Sequence, residues 1–84
     1  MTQFTQFSEL VDIEVPNREV SRVRKLLRSF TKLNPNIREV AEEPSIEDNK
    51  TIVRVSIPRT EKDNWLRALE AQFENENMDM EILG

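Results

Sequence analysis

Six cations crowd one short stretch of this chain: Arg18, Arg22, Arg24, Lys25, Arg28 and Lys32, with Glu19 the single acid among them. If the stretch is helical, at about 100° per residue they fill one arc of roughly 160°. Such an arc binds anions, either carboxylates on an acidic protein or the phosphates of nucleic acid. Several of these cations stand four residues apart (Arg18 and Arg22, Arg24 and Arg28, Arg28 and Lys32), a spacing that mildly destabilises an isolated helix. Their retention is easier to understand if they meet a partner than if they form a solvated face offset by acids elsewhere. The stretch carries +5, and because the whole chain carries −4, the remainder carries −9. That remainder opposes a polyanion. An acidic protein surface is therefore the expected partner, and nucleic acid bound by the same helix is the alternative.

Catalytic chemistry has little to work with. There is no histidine and no cysteine, which rules out Cys–His and Ser–His–Asp nucleophiles, the usual zinc sites and any disulfide framework. The only glycine is Gly84, so loops that let backbone N–H groups close on a phosphate are excluded. Serine and lysine coexist, but no spacing singles out a pair. The carboxylates at Glu42, Glu43, Glu47, Asp48, Asp79 and Glu81 lack the alternation and sharp-turn glycine of a calcium loop. They read as solvated acids before they read as magnesium ligands of a phosphodiesterase. No catalytic residue, cofactor or metal ligand is expected, and the chain is read as a non-enzyme.

The elements that would position the basic arc follow from hydrophobic period. Leu10 to Val15 alternates, with Val11, Ile13 and Val15 on one face, which predicts a strand ending at Pro16. Asn17 is a suitable N-cap. From there to Asn34 the apolar residues Val20, Val23, Leu26, Leu27, Phe30 and Leu33 form one helical stripe, with Asn34 expected in the left-handed conformation before Pro35. Ile37 to Glu43 reads as an edge strand with a bulge, since Ile37 and Val40 are three apart. Asp48 and Asn49 suit a hairpin turn. Thr51 to Pro58 alternates again with Val53, Val55 and Ile57 inward, and Thr60 with Asp63 resembles a capping box. A second helix to about Asn77 buries Trp65, Leu66, Leu69 and Phe73, and Met78, Met80 and Ile82 alternate in a last strand. Leu27, Phe30, Val55 and Leu69 are the expected centre of the core. No internal repeat of structural length is visible.

Strand, helix, strand, strand, helix, strand predicts an α+β fold of the ferredoxin-like (split βαβ) kind: a four-stranded antiparallel sheet with both helices on one face. The succession LVDIEVP, helix, IVRVSIP, helix, MDMEIL is similar in outline to the pro-segments of metallocarboxypeptidases, and that resemblance implies this same fold class and no more. RNA-binding versions of this architecture stack bases on sheet aromatics. Here the outward positions are Leu10, Asp12, Glu14, Ile52, Arg54 and Ser56, so sheet-face RNA binding is not expected, and Asp12 or Glu14 should instead pair with Arg54.

The 84 residues make a single domain over 10–84, preceded by a flexible tail, 1–9, whose Phe4 and Phe7 either cover the outer sheet or meet a partner. That tail has neither the basic start nor the apolar run of a signal peptide, and no apolar run anywhere exceeds two residues, so no membrane span is expected. The expected setting is the cytoplasm. The expected role is a small interaction module (adaptor, regulator or inhibitor) that binds an acidic protein through the arc. The edge strand and the outward Ile52 and Leu83 also favour a homodimer.

Overall fold

The computed structural model describes residues 8–83; Phe4 and Phe7 lie outside them. β1 (Ser8–Pro16) leads into α1 (Val20–Leu33), β2 (Arg38–Pro44), β3 (Lys50–Pro58), α2 (Lys62–Asn75) and β4 (Glu81–Ile82). The strands form one antiparallel sheet in the order β2-β3-β1-β4. This is an α+β architecture. The first strand begins at Ser8, inside the expected tail, and Glu9 is held there by Lys62 (3.0 Å) and Arg59 (3.1 Å).

Alternation of apolar and polar residues on β1 and β3 gives the sheet two unlike faces. Val11, Ile13, Val15, Val53, Val55 and Ile57 are wholly buried and join Val23 and Leu27 of α1 with Trp65, Leu69 and Phe73 of α2 in one core. Met78 and Ile37 close its ends. The other face carries Asp12, Glu14, Ile52, Arg54 and Ser56, all partly exposed. Arg54 lies opposite Asp12 in the strand register and holds it with bonds of 2.8 and 3.3 Å, which is the cross-strand pair expected from the sequence.

The helices start in a way the sequence reading did not anticipate. Asn17 does not cap α1. Residues Asn17–Glu19 form a 3-10 turn, and Glu19, buried with 8% exposure, stands at the N-cap without a side-chain cap bond. Asn17 instead ties the helix to the β2–β3 hairpin: its N–H donates to the Asn49 carbonyl (2.9 Å) and its side-chain oxygen accepts from Thr51 Oγ1 (2.5 Å). The expected capping box at Thr60 and Asp63 is likewise absent, because Arg59–Glu61 forms a second 3-10 turn and puts Glu61 at the N-cap of α2. A carboxylate at each N-terminus complements the helix dipole without bonding directly.

These two starts reveal a repeat that the sequence reading missed. Pro16 and Pro58 stand 42 residues apart, and the same spacing relates Glu19 to Glu61, Val23 to Trp65, Leu27 to Leu69, and the inward residues of β1 to those of β3. Residue type is kept at Pro16/Pro58, Glu19/Glu61, Leu27/Leu69 and Val11/Val53 and changes at the other three pairs, while burial is kept at every pair but Glu19/Glu61.

Three further expectations are corrected. Asn34 is extended (φ −142°), not left-handed, because the ring of Pro35 disfavours a helical residue before it. Phe30 is half-buried, at the margin of the core. Met78 is buried, but only Glu81 and Ile82 pair as a strand, after Asn77 reverses the chain at φ 53°. The bulge in β2 is present: the register with β3 shifts between Glu39 and Ala41. Asn49 takes φ 61°, the left-handed conformation that the hairpin requires.

Leu27→Ala and Leu69→Ala should each cost about 2–5 kcal/mol, since both leave a cavity in a closed core. Leu33, 85% exposed at the end of α1, should tolerate alanine within about 0.5 kcal/mol. Urea denaturation of the three variants checks the facing of both helices.

Candidate functional site

The solvent side of α1 and of the 3-10 turn before it, which carries Arg18, holds the six cations, and the fold divides them. Arg18 reaches Asp79 at 3.2 Å, an exposed pair of little energetic weight. Arg22 is gripped harder. It donates to Glu19 (3.1 Å), to the Glu76 side chain (3.4 Å) and to the Glu76 carbonyl (3.2 Å), so it links both ends of the helix layer. Arg24 makes the best-formed contact of the set, a two-pronged bond to Glu42 with Nε at 2.6 Å and Nη2 at 2.8 Å. These three are bound within the molecule. Lys25, Arg28 and Lys32 have no carboxylate at ion-pair distance among the described residues. The basic face available to a partner is therefore half of the one the sequence suggested, and Arg24 does not belong to it.

The bulge explains why Arg24 finds Glu42. Glu39 lies opposite the inward Val55 and Glu42 opposite the inward Val53, although the two acids are three residues apart. In a regular strand they would sit on opposite faces. The extra residue restores the phase, so both carboxylates face α1 beside one guanidinium. Glu42, held chiefly by the Arg24 hydrogen bonds and then by Glu39, has its pKa lowered to about 2. Glu39 is pushed the other way, to about 7, first by burial and then by its hydrogen bond to Glu42, against the weaker pull of Arg24 and Arg28. Protonation of Glu39 eases the repulsion between these two neighbouring acids.

Beside the free cations runs an open groove between α1 and α2, with a volume of about 630 Å³. Leu26, Phe30 and Leu33 give it an apolar wall, Lys25 lies on its rim, and Gln72 and Glu76 form the α2 side. Phe30 meets the edge of Trp65 behind it, with ring centroids 5.8 Å apart at 68°. The Trp65 indole Nε1 is buried with no hydrogen-bond partner among the described residues. Lys25, Arg28 and Lys32 form one row along about 10 Å of helix, and Leu26, Phe30 and Leu33 form another, with Arg22 and Ser29 between the two. The surface suits a ligand that is acidic and apolar at once. Sequence periodicity placed Leu26, Phe30 and Leu33 on the apolar stripe, and only the placement of α2 shows that Leu26 and Phe30 remain partly open and Leu33 exposed.

Among the described residues, no group of three or more acids is arranged to hold a metal ion, and no helix is long and apolar enough to cross a membrane.

Stability should follow pH through the Glu39–Glu42 pair. Glu39 binds its proton more tightly folded than unfolded, so its contribution is complete below about pH 4.5, the ordinary carboxylate range. It is lost as pH rises towards about 7. Glu42 acts in the opposite sense: its contribution is present above the ordinary range and is lost as pH falls towards about 2. Glu39→Gln should flatten the decline between about pH 5 and 7 while leaving the acid limb in place. Urea midpoints across that range measure it, and an unchanged slope in the variant would remove Glu39 as the cause.

No family model matches this chain, no curated protein matches its sequence, and no solved structure matches its fold.

Proposed function

We propose that this chain is a non-catalytic interaction module that binds an acidic, partly apolar protein segment along α1, in a reducing compartment such as the cytoplasm. The observation that carries this reading is the row of Lys25, Arg28 and Lys32, unneutralised in a chain of net charge −4 whose other α1 cations are all paired. Acids are abundant here, yet they gather on β2, on the outer sheet and at the end of α2, and none of the described ones comes within ion-pair distance of this row, although Glu39 feels the charge of Arg28. The nearby Leu26, Phe30 and Leu33 supply apolar contact, which exposed charge pairs cannot replace. The ferredoxin-like reading of the fold is supported by the β-α-β-β-α-β succession and by the central places of β1 and β3.

A duplex would meet the same cations but also the acids around them, and DNA has no use for the apolar row. Titration of labelled protein with an acidic amphipathic peptide should shift the amide resonances of Lys25, Leu26, Arg28 and Lys32. Lys25→Glu, Arg28→Glu and Lys32→Glu together should weaken that binding on the order of a hundredfold, at up to about 1 kcal/mol for each exposed charge. Arg24 is left in place because it holds Glu42. Raising salt should weaken the wild-type complex. Tighter binding of generic duplex DNA than of the peptide would overturn the reading in favour of the nucleic-acid alternative.

A further inference from the structure

The β2–β3 turn presents the chemistry that the α1 groove lacks. Ile46, at the tip of that turn, is 99% exposed. Glu47 and Asp48 follow it, both exposed and without a cation at ion-pair distance among the described residues. The turn is also built to hold Ile46 outward. Ser45 N–H donates to the Lys50 carbonyl (3.0 Å), Ser45 Oγ donates to Glu14 (2.5 Å) and accepts from the Glu47 N–H (3.0 Å), and Asn49 closes the reversal at φ 61°. A single exposed isoleucine is ordinary on a protein surface. One fixed in place with two unpaired acids beside it has the make-up of a ligand for a partly apolar groove with the unpaired Lys25 on its rim and Arg28 and Lys32 farther round the same helix.

Resting on the reading of the α1 face as a docking surface, we propose that its occupant is a second copy of this chain. Ile46 of one copy seats in the groove of the next, and Glu47 and Asp48 meet Lys25, Arg28 and Lys32. Three observations support the match. The charges are opposite and unpaired on both sides. The groove, at about 630 Å³, has ample room for an isoleucine side chain. The turn is ordered before it binds, so little conformational freedom is lost on docking. The groove is lined by residues of α1 and α2 alone, none of them in the turn. Each copy can therefore give its turn to one neighbour and its groove to another. The contact joins two different surfaces, so it closes as a reciprocal two-fold dimer or a ring, or runs on as an open chain. It is small and charge-dependent, so it forms at high protein concentration and low salt.

Sedimentation velocity on the full chain tests this. At about 20 mM salt, where screening is weak, the weight-average sedimentation coefficient should rise with concentration up to the millimolar range, and it should fall to the monomer value at about 500 mM salt. Ile46→Asp should remove the association while leaving the circular dichroism spectrum unchanged. The decisive arm is a charge exchange. Lys25→Glu, Arg28→Glu and Lys32→Glu in one variant, and Glu47→Lys with Asp48→Lys in another, should each be monomeric alone and should associate when mixed. A wild-type protein that stays monomeric at low salt, an Ile46→Asp variant that still associates, or a mixture that fails to associate would overturn self-docking. If the acidic peptide still binds α1 in that case, only the identity of the occupant falls; if the peptide also fails, the underlying reading falls with it.

Discussion

Six side chains on one face of the two central strands set the terms for everything else. Val11, Ile13 and Val15 of β1 and Val53, Val55 and Ile57 of β3 are wholly buried, and their antiparallel register, Val11 opposite Val55 and Ile13 opposite Val53, is fixed along nine residues of each strand. A slip of one residue would turn Asp12, Glu14 and Arg54 into the core and the valines out to solvent. No histidine or cysteine is present to supply a disulfide or a usual zinc site as a second means of support, so this interlock has to be correct. Both helices read their position from it, because their buried residues have nowhere else to pack.

The charge pattern is a consequence of the same geometry. A sheet covered by helices on one side leaves acids on its outer face, while α1 presents cations on the far side of the helix layer. The bulge in β2 is the exception, since it turns two acids towards α1 and removes Arg24 from the basic surface. Partial neutralisation makes a six-cation helix tolerable in isolation and leaves the remaining three in a short row. The docking surface proposed here is defined as much by what Arg18, Arg22 and Arg24 already hold as by the absence of a carboxylate within ion-pair distance of Lys25, Arg28 and Lys32 among the described residues.

Much of this was legible in the residues. Period two in β1 and β3 and period three-to-four in α1 and α2 gave the elements, and Ile37 with Val40 gave the bulge. The cap assignments failed because both helices follow a proline and a 3-10 turn, which moves the first α-helical residue three places beyond Asn17 and Arg59. Local cap signals do not register that displacement. The site was only half legible. Composition gave six cations, but ion pairs spanning 18 residues (Arg24 to Glu42) and 54 residues (Arg22 to Glu76) depend on tertiary placement. The groove depends on it too, because an apolar stripe does not reveal how much of its width a neighbouring helix will cover. The repeat is carried by a few scattered positions, and where Val23 answers to Trp65 burial is kept without likeness of side chain.

Strand order also governs when this fold can form. β1 has β3 and β4 as its neighbours, and β2 has β3, so every pairing in the sheet involves a strand from the later part of the chain. On a ribosome, β1, α1 and β2 emerge with no strand for any of them to pair with, and β1 must wait for a partner 42 residues downstream at Asp12 and Arg54. Closing that loop is an entropic cost met before the valine interlock returns anything. The β2–β3 hairpin, local in sequence, is the first sheet contact the chain can make, and β1 joins it afterwards. Through the interval only α1 is available to cover the apolar face of β1, and Asp12 and Glu14 put charge on the strand, as natural edge strands do.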